Sequence, residues 1–241
     1  MAQFPFRVSA TRTRSYAFRI AGPMACFTRP EFRSDRMSYD IMTPSAANGM
    51  LDAFFFKPMQ FEWRIEQIHM LAPIQHESRT TSEVPKRADG INPIDVSDPK
   101  NRKQVRGLYL RDVDYLVVAH AAVLAGHQDS ENRRKYEEMI ERRASRGSYS
   151  QPPALGLASF FAETFEILTP EQAHALTPVP ENRVIGAMLY GFDYSPERET
   201  DKKKQGLRVP YFFNAEIRNG VLRGIDAPNN TDLIDVEVWR T

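Results

Sequence analysis

The run LYLRDVDYLVVAHAAVL, Leu108 to Leu124, is rich in Val, Leu and Tyr and reads as the most buried strand of the chain. Its nearly unbroken apolar part, Tyr115 to Ala125, falls short of the roughly 20 residues a spanning helix needs, which excludes a membrane span. Upstream, Gln60 to Leu71 alternates Phe61, Trp63 and Ile65 against Glu62, Arg64 and Glu66, then shifts phase at Gln67 and Ile68, the pattern of a long strand with a bulge. Ser15 to Gly22 alternates as another strand. Between them Thr43-Pro44-Ser45 caps a helix carrying Ala46, Ala47, Met50, Leu51 and Phe54, which Lys57-Pro58 ends. Downstream, Ser130 is the cap candidate of a helix running to Arg146 with Gly147 as its stop, and Ser159 to Leu168 is a further strand candidate. The order strand, helix, strand, strand, helix, strand is the split βαβ order of an α+β, ferredoxin-like domain, the class that includes RNA-recognition folds.

Two segments fall outside that order. Pro73 to Gly107 has little periodicity, several prolines and mostly basic charge, and reads as a long insertion or arm, the kind of connection that is more often functional or disordered than incidental. Thr169 to Pro180 is proline-rich and linker-like, placing a boundary between a domain at 1–169 and an extension at 170–241. The extension holds Val184 to Tyr194, a charged loop from Glu197 to Arg208, Val209 to Ile217, the hairpin signal Asn219-Gly220 and Val221 to Gly224, which together predict a small antiparallel sheet.

The 241 residues are 41% hydrophobic and 26% charged with a mean hydropathy of −0.49, an ordinary globular composition. Thirty-two basic residues nearly cancel 31 acidic ones, but the signs are unevenly spread. Arginines crowd the first 37 residues and bases crowd 100–111, whereas Ile225 to Thr241 is acidic, so a polyanion partner competes with plain solvated charge as the reading. The lone Cys26 allows neither a disulfide nor a thiolate cluster, and no secretory leader precedes the domain, both expected of a cytoplasmic protein.

Walker, Rossmann, HExxH and GxSxG motifs are absent, and the five histidines are scattered without ligand spacing, so no metal or cofactor is implied. What remains is a sheet with aromatics, arginines near the first strands and a basic arm, a combination that favours RNA. His120 interrupts the apolar strand on the face of Leu116, Val118 and Ala122, either as an acid or base or as a hydrogen-bonded core residue. Lys57 either meets a phosphate or complements a helix C-terminus. Phe54, Phe55 and Phe56 cannot all face one core, and Phe55 is taken as the base-stacking candidate. Arg29, Arg33 and Arg36, with Lys86, Arg87, Arg102, Lys103 and Arg106 of the arm, are the candidate phosphate contacts.

The residues Ala25-Cys26-Phe27-Thr28-Arg29-Pro30-Glu31, Ser38-Tyr39-Asp40, Thr43-Pro44-Ser45-Ala46-Ala47, Lys57-Pro58, His69, Val113-Asp114-Tyr115, Gln151-Pro152 and Leu155-Gly156 resemble the type I-C CRISPR-associated Cas-five-d (Cas-five-c) proteins of the RAMP superfamily. The resemblance covers nearly the whole chain and is most specific from Phe27 to Ala47. It implies a ferredoxin-like domain followed by a small β-sheet extension. It also implies a subunit of the Cascade surveillance complex that holds the 5′ handle of the CRISPR RNA beside backbone and large subunits, with target DNA reached through the complex. Cleavage of the precursor repeat without metal follows from the same resemblance, the alternative being a handle-capping subunit that does not cut. Some members use a tyrosine near the end of the first helix and a lysine close before a histidine on the central strand. Here those positions hold Phe55 and Val118, and only His120 remains.

Overall fold

The computed structural model describes residues 9–32, 35–57, 60–85, 93–126, 132–193, 209–225 and 233–234. In chain order these form β1 (Ser9–Arg12), β2 (Tyr16–Ala25), β3 (Arg36–Met37), α1 (Pro44–Phe54), β4 (Phe61–Met70), β5 (His76–Glu83), β6 (Lys103–Leu124), α2 (Arg133–Arg146), β7 (Thr164–Leu168), α3 (Pro170–Ala175), β8 (Arg183–Asp193), β9 (Val209–Arg218), β10 (Val221–Arg223) and β11 (Leu233–Ile234). One large antiparallel sheet dominates, with few helices against it.

β6 is its spine. From Tyr115 to Ala119 β6 lies between β2 and β4, antiparallel to both, β1 takes the place of β2 toward Leu124, and β7 adds to the far edge of β2. The resulting order is β7–β2–β6–β4, with α1 crossing from β2 to β4 and α2 crossing from β6 to β7. The face toward the helices is apolar. Phe18 and Ile20 of β2, Trp63 and Ile68 of β4, and Val117, Ala119 and Ala121 of β6 meet Ala47, Met50, Leu51 and Phe54 of α1 and Tyr136 and Ile140 of α2, all at most 2% exposed. Each large side chain buried this way contributes about 1.5–3 kcal/mol.

Thr43 caps α1 by accepting the Ala46 N–H at 3.1 Å, as its sequence position predicts. The helix stops at Phe54, three residues before Lys57, because Phe55 is extended (φ −150°, ψ 110°). That change of direction lets the Phe55 carbonyl accept the Trp63 indole N–H at 2.9 Å, while Arg143 of α2 donates to the Phe54 carbonyl at 3.1 Å. α2 is capped by Asn132 and ended by Gly147. Ser130, the expected cap, lies outside the described residues.

The arm is a hairpin and not an irregular insertion. β5 pairs with Lys103 to Leu110 of β6, and β3 runs parallel to β6 at Gly107 and Leu108. β6 therefore begins five residues before the expected Leu108. The sequence HESRTTSE of β5 shows no apolar alternation because no core covers it. Between Thr169 and Pro180, where a linker was expected, Thr169 and Gln172 form a capping box at the start of α3. The hairpin at Asn219-Gly220 forms as predicted, both residues taking positive φ (49° and 72°), the geometry of a type I′ turn. β8, β9 and β10 pair antiparallel, and Val221 of β10 lies opposite His69 of β4, so these strands continue the main sheet. The expected charged loop Glu197 to Arg208 lies outside the described residues.

Candidate active site

Strand alternation turns Ala119 and Ala121 toward the helices and His120 to the opposite face, where it faces Arg64 across the β4–β6 ladder. The ladder slips register between Ile65 and Gln67, so Glu66 is the extra residue of the bulge foreshadowed by the phase shift. The bulge brings the Glu66 carboxylate onto the imidazole, with Nδ1 of His120 2.6 Å from Oε1. The same carboxylate accepts from the Arg12 guanidinium of β1 at 2.7 Å and from the Ser15 hydroxyl at 2.9 Å. Arg64 pairs with Glu62.

The His120 side chain is 14% exposed. Burial lowers its pKa below the ordinary imidazole value, more strongly than the Glu66 hydrogen bond raises it, and the charges of Arg12 and Arg64 push the same way as burial. The ring is therefore neutral at neutral pH. A carboxylate only accepts, so the proton is assigned to Nδ1 and Nε2 keeps its lone pair. Among the described residues Nε2 has no hydrogen-bond partner. A neutral imidazole held this way, between two guanidinium groups, has the properties of a general base.

The other anticipated residues are dispersed. Phe55 is 1% exposed, packed against Phe61 at 5.1 Å and covered by the Arg143 guanidinium at 4.9 Å from its ring, so it offers no face to a base. The exposed member of the triplet is Phe56, at 53%, because the extended residue after α1 returns Phe55 to the core. Phe55 and His120 lie on opposite faces of the sheet. Lys57 sits on the connection from α1 to β4, and among the described residues no hydrogen bond or ion pair joins it to the His120 cluster. His69 donates to or accepts from Gln67 at 2.8 Å, and burial lowers its pKa.

A cleft of about 400 Å³ opens on the helix side, lined by Cys26, Phe27 and Thr28, by the cap Thr43 and by Ser45 and Ala46 of α1, and by Gln151, Pro152 and Gly156. All of these belong to segments that carry the family resemblance, brought together by the Cys26 N–H donating to the Leu155 carbonyl at 2.9 Å. Ser38-Tyr39-Asp40 knits the surrounding frame. The Ser38 hydroxyl accepts from the Phe27 N–H at 3.0 Å, the Tyr39 hydroxyl bonds the β8 backbone at Ala187 and Leu189, and Asp40 pairs with His76 of β5 and Arg183 of β8, both at 3.0 Å. A family model described as CRISPR-associated protein (Cas_Cas5), the Cas5d model, matches residues 15–225.

The chain belongs to the Cas5d family. Among its relatives is the "CRISPR pre-crRNA endoribonuclease Cas5d" of Mannheimia succiniciproducens, 36% identical over 226 residues, 87% of this chain and 92% of that one. The protein of the same description from Thermus thermophilus is 36% identical over 216 residues, covering 85% and 88%. A crystal structure of a CRISPR-associated protein superposes with a TM-score of 0.64 at 23% identity, covering 88% of this chain and 92% of that one. The functionally uncharacterized protein SMU1763c from Streptococcus mutans also gives 0.64, at 21% identity over 93% and 99%. These two share the fold.

In this Cas5d-family chain the basic candidates divide by their partners. Arg36 is held by Glu83 of β5 through two hydrogen bonds, at 2.8 and 2.7 Å, and so fastens β3 to the arm. Arg29 stacks over the Tyr39 ring at 4.4 Å and pairs with Glu31 at 3.5 Å. Arg102, Lys103 and Arg106 are exposed on the arm, with Arg102 donating to the Ser97 carbonyl at 3.2 Å. Arg33, Lys86 and Arg87 lie outside the described residues. Glu66, Arg12 and Ser15 were not anticipated. Only Glu66 carried a signal, the phase shift at Gln67. No group of three or more potential metal-ligating residues occurs among the described residues, and no described helix is long and apolar enough to cross a membrane.

Proposed function

We propose that the chain is a subunit of the type I-C Cascade complex that binds the crRNA 5′ handle and cuts the precursor repeat by attack of a ribose 2′-hydroxyl, without metal. The observation that carries this is the His120 imidazole on the sheet face opposite α1 and α2, its Nδ1 2.6 Å from the Glu66 carboxylate and its strand position across the ladder from Arg64. Nε2 takes the 2′-hydroxyl proton, and the oxygen attacks the adjacent phosphorus. The bond to the 5′-oxygen breaks and that oxygen takes up a proton, leaving a 2′,3′-cyclic phosphate and a 5′-hydroxyl. Guanidinium charge at the phosphate favours the pentacoordinate transition state. The naming of both curated relatives as pre-crRNA endoribonucleases supports the reading.

The strand order β7–β2–β6–β4 with its two crossover helices is read as a ferredoxin-like RAMP domain over 1–169, with 170–241 as its β extension. The exposed Arg102, Lys103 and Arg106 are assigned to RNA phosphates. Arg36 is assigned to the arm itself, since reaching a phosphate would cost its bond to Glu83. The departure at Phe55 does not touch the proposed base, because Phe55 is on the other side of the sheet from His120, whereas Val118 shares the His120 face and supplies no cation there.

Purified protein mixed with end-labelled cognate repeat RNA in EDTA will give one site-specific product. Tight binding with no product would leave the chain as a non-cleaving handle cap.

A further inference from the structure

We infer that Glu66 is the positioning residue of His120, fixing which ring nitrogen faces the substrate. The inference rests on the reading of His120 as the base that acts on RNA. Three elements, β6 through His120, β1 through Arg12 and the turn into β2 through Ser15, converge on one carboxylate of β4. The β4 bulge supplies it, β1 supplies Arg12, and the turn into β2 supplies Ser15, so that Oε1 lies 2.6 Å from Nδ1 while Arg12 and Ser15 hold the carboxylate at 2.7 and 2.9 Å. An unslipped ladder would carry no extra residue at this point, and the bulge is therefore what brings a carboxylate to the histidine.

The arrangement has two chemical consequences. An acceptor on Nδ1 selects the tautomer whose free lone pair is on Nε2, and a carboxylate beside the ring stabilises the imidazolium formed once Nε2 has taken a proton. Arg12 moderates the second effect, because its positive charge faces the same ring. Among the described residues the charged groups facing His120 are Arg12 from β1 and Glu66 and Arg64 from β4, with Glu62 neutralising Arg64. Ser15 and Arg12 leave the Glu66 carboxylate little freedom to rotate away, so the bond to Nδ1 persists without substrate.

The test uses the full chain and two readouts. In ¹⁵N NMR of the imidazole nitrogens, wild-type His120 will show a protonated Nδ1 and an unprotonated Nε2 at neutral pH. In Glu66→Gln the populations will shift toward protonated Nε2, because the amide can donate to Nδ1, and the titration midpoint will move down. In single-turnover cleavage of the repeat RNA, Glu66→Gln will be slower by about a hundredfold. Its RNA affinity will stay within about twofold of wild type, and its rising pH limb will shift to lower pH. A wild-type ring protonated on Nε2, or a Glu66→Gln variant with an unchanged His120 titration, overturns the inference. The wild-type spectrum decides even if the variant does not fold. Absence of cleavage by the wild type would overturn the RNA-cutting reading, while the spectra would still decide whether Glu66 holds the ring.

Discussion

His120→Ala will slow single-turnover cleavage of the repeat RNA by about 10²- to 10⁴-fold, the range a positioned general base contributes, with handle affinity within about twofold of wild type. Affinity is spared because the phosphate contacts are assigned to the arm, whereas the imidazole is a partly buried neutral group with one free nitrogen. The pH dependence has a defined sign. The base is active when unprotonated, so the wild-type rate rises with pH through the imidazole pKa. Burial, with the charges of Arg12 and Arg64, lowers that pKa against the raising effect of Glu66, so the rising limb will lie at lower pH than for a free imidazole. An unchanged rate in His120→Ala would remove the residue from the reaction.

Gly156→Ala will destabilise the protein by about 3 kcal/mol, the sum expected for a non-glycine residue in the left-handed region and a buried backbone hydrogen bond lost. Gly156 has φ 89°, and a Cβ there would lie 1.9 Å from the Cys26 carbonyl oxygen and 2.7 Å from its carbon. Both neighbours are backbone, so no rotamer change relieves the clash. The 152–156 loop would have to lift from the end of β2, breaking the Cys26 N–H to Leu155 bond and opening the cleft. For a chain of this length the midpoint of thermal unfolding will drop by roughly 6–12 °C. A variant within about 0.5 kcal/mol of wild type by urea denaturation would mean that the loop does not pack there.

Periodicity located what a buried face organises. The strands around Trp63 and Val117 and the α1 cap at Thr43 were legible because one side of each element meets a core. β5 was not, since its polar residues alternate against nothing. α3 was not legible although Thr169 and Gln172 carried its capping signal, because the three prolines of Thr169 to Pro180 suggested a linker. His120 stood out as a polar residue in an apolar strand, whereas Glu66 looked like any solvent-facing member of an alternating strand. Only the pairing register reveals that it is the bulge residue.

Charge was harder to interpret than hydrophobicity. Arg36 looked free for RNA because its partner, Glu83, is 47 residues away in sequence. Asp40 belongs to a family-like motif, yet its contacts are with His76 and Arg183, which makes it part of the frame and not of the His120 cluster. Phe55 illustrates the same limit for aromatics. Three consecutive phenylalanines cannot be sorted into core and surface until the backbone direction after the helix is known, and the turn at Phe55 exposes Phe56 instead.

The most direct measurement is cleavage in EDTA of a repeat RNA carrying one 2′-deoxy nucleotide immediately 5′ of the cut. The account predicts that the all-ribose RNA is cut once, leaving a 2′,3′-cyclic phosphate, and that the deoxy RNA binds equally well and stays whole. Cutting of the deoxy RNA at the same bond would contradict it, because the attacking oxygen would then have to come from elsewhere.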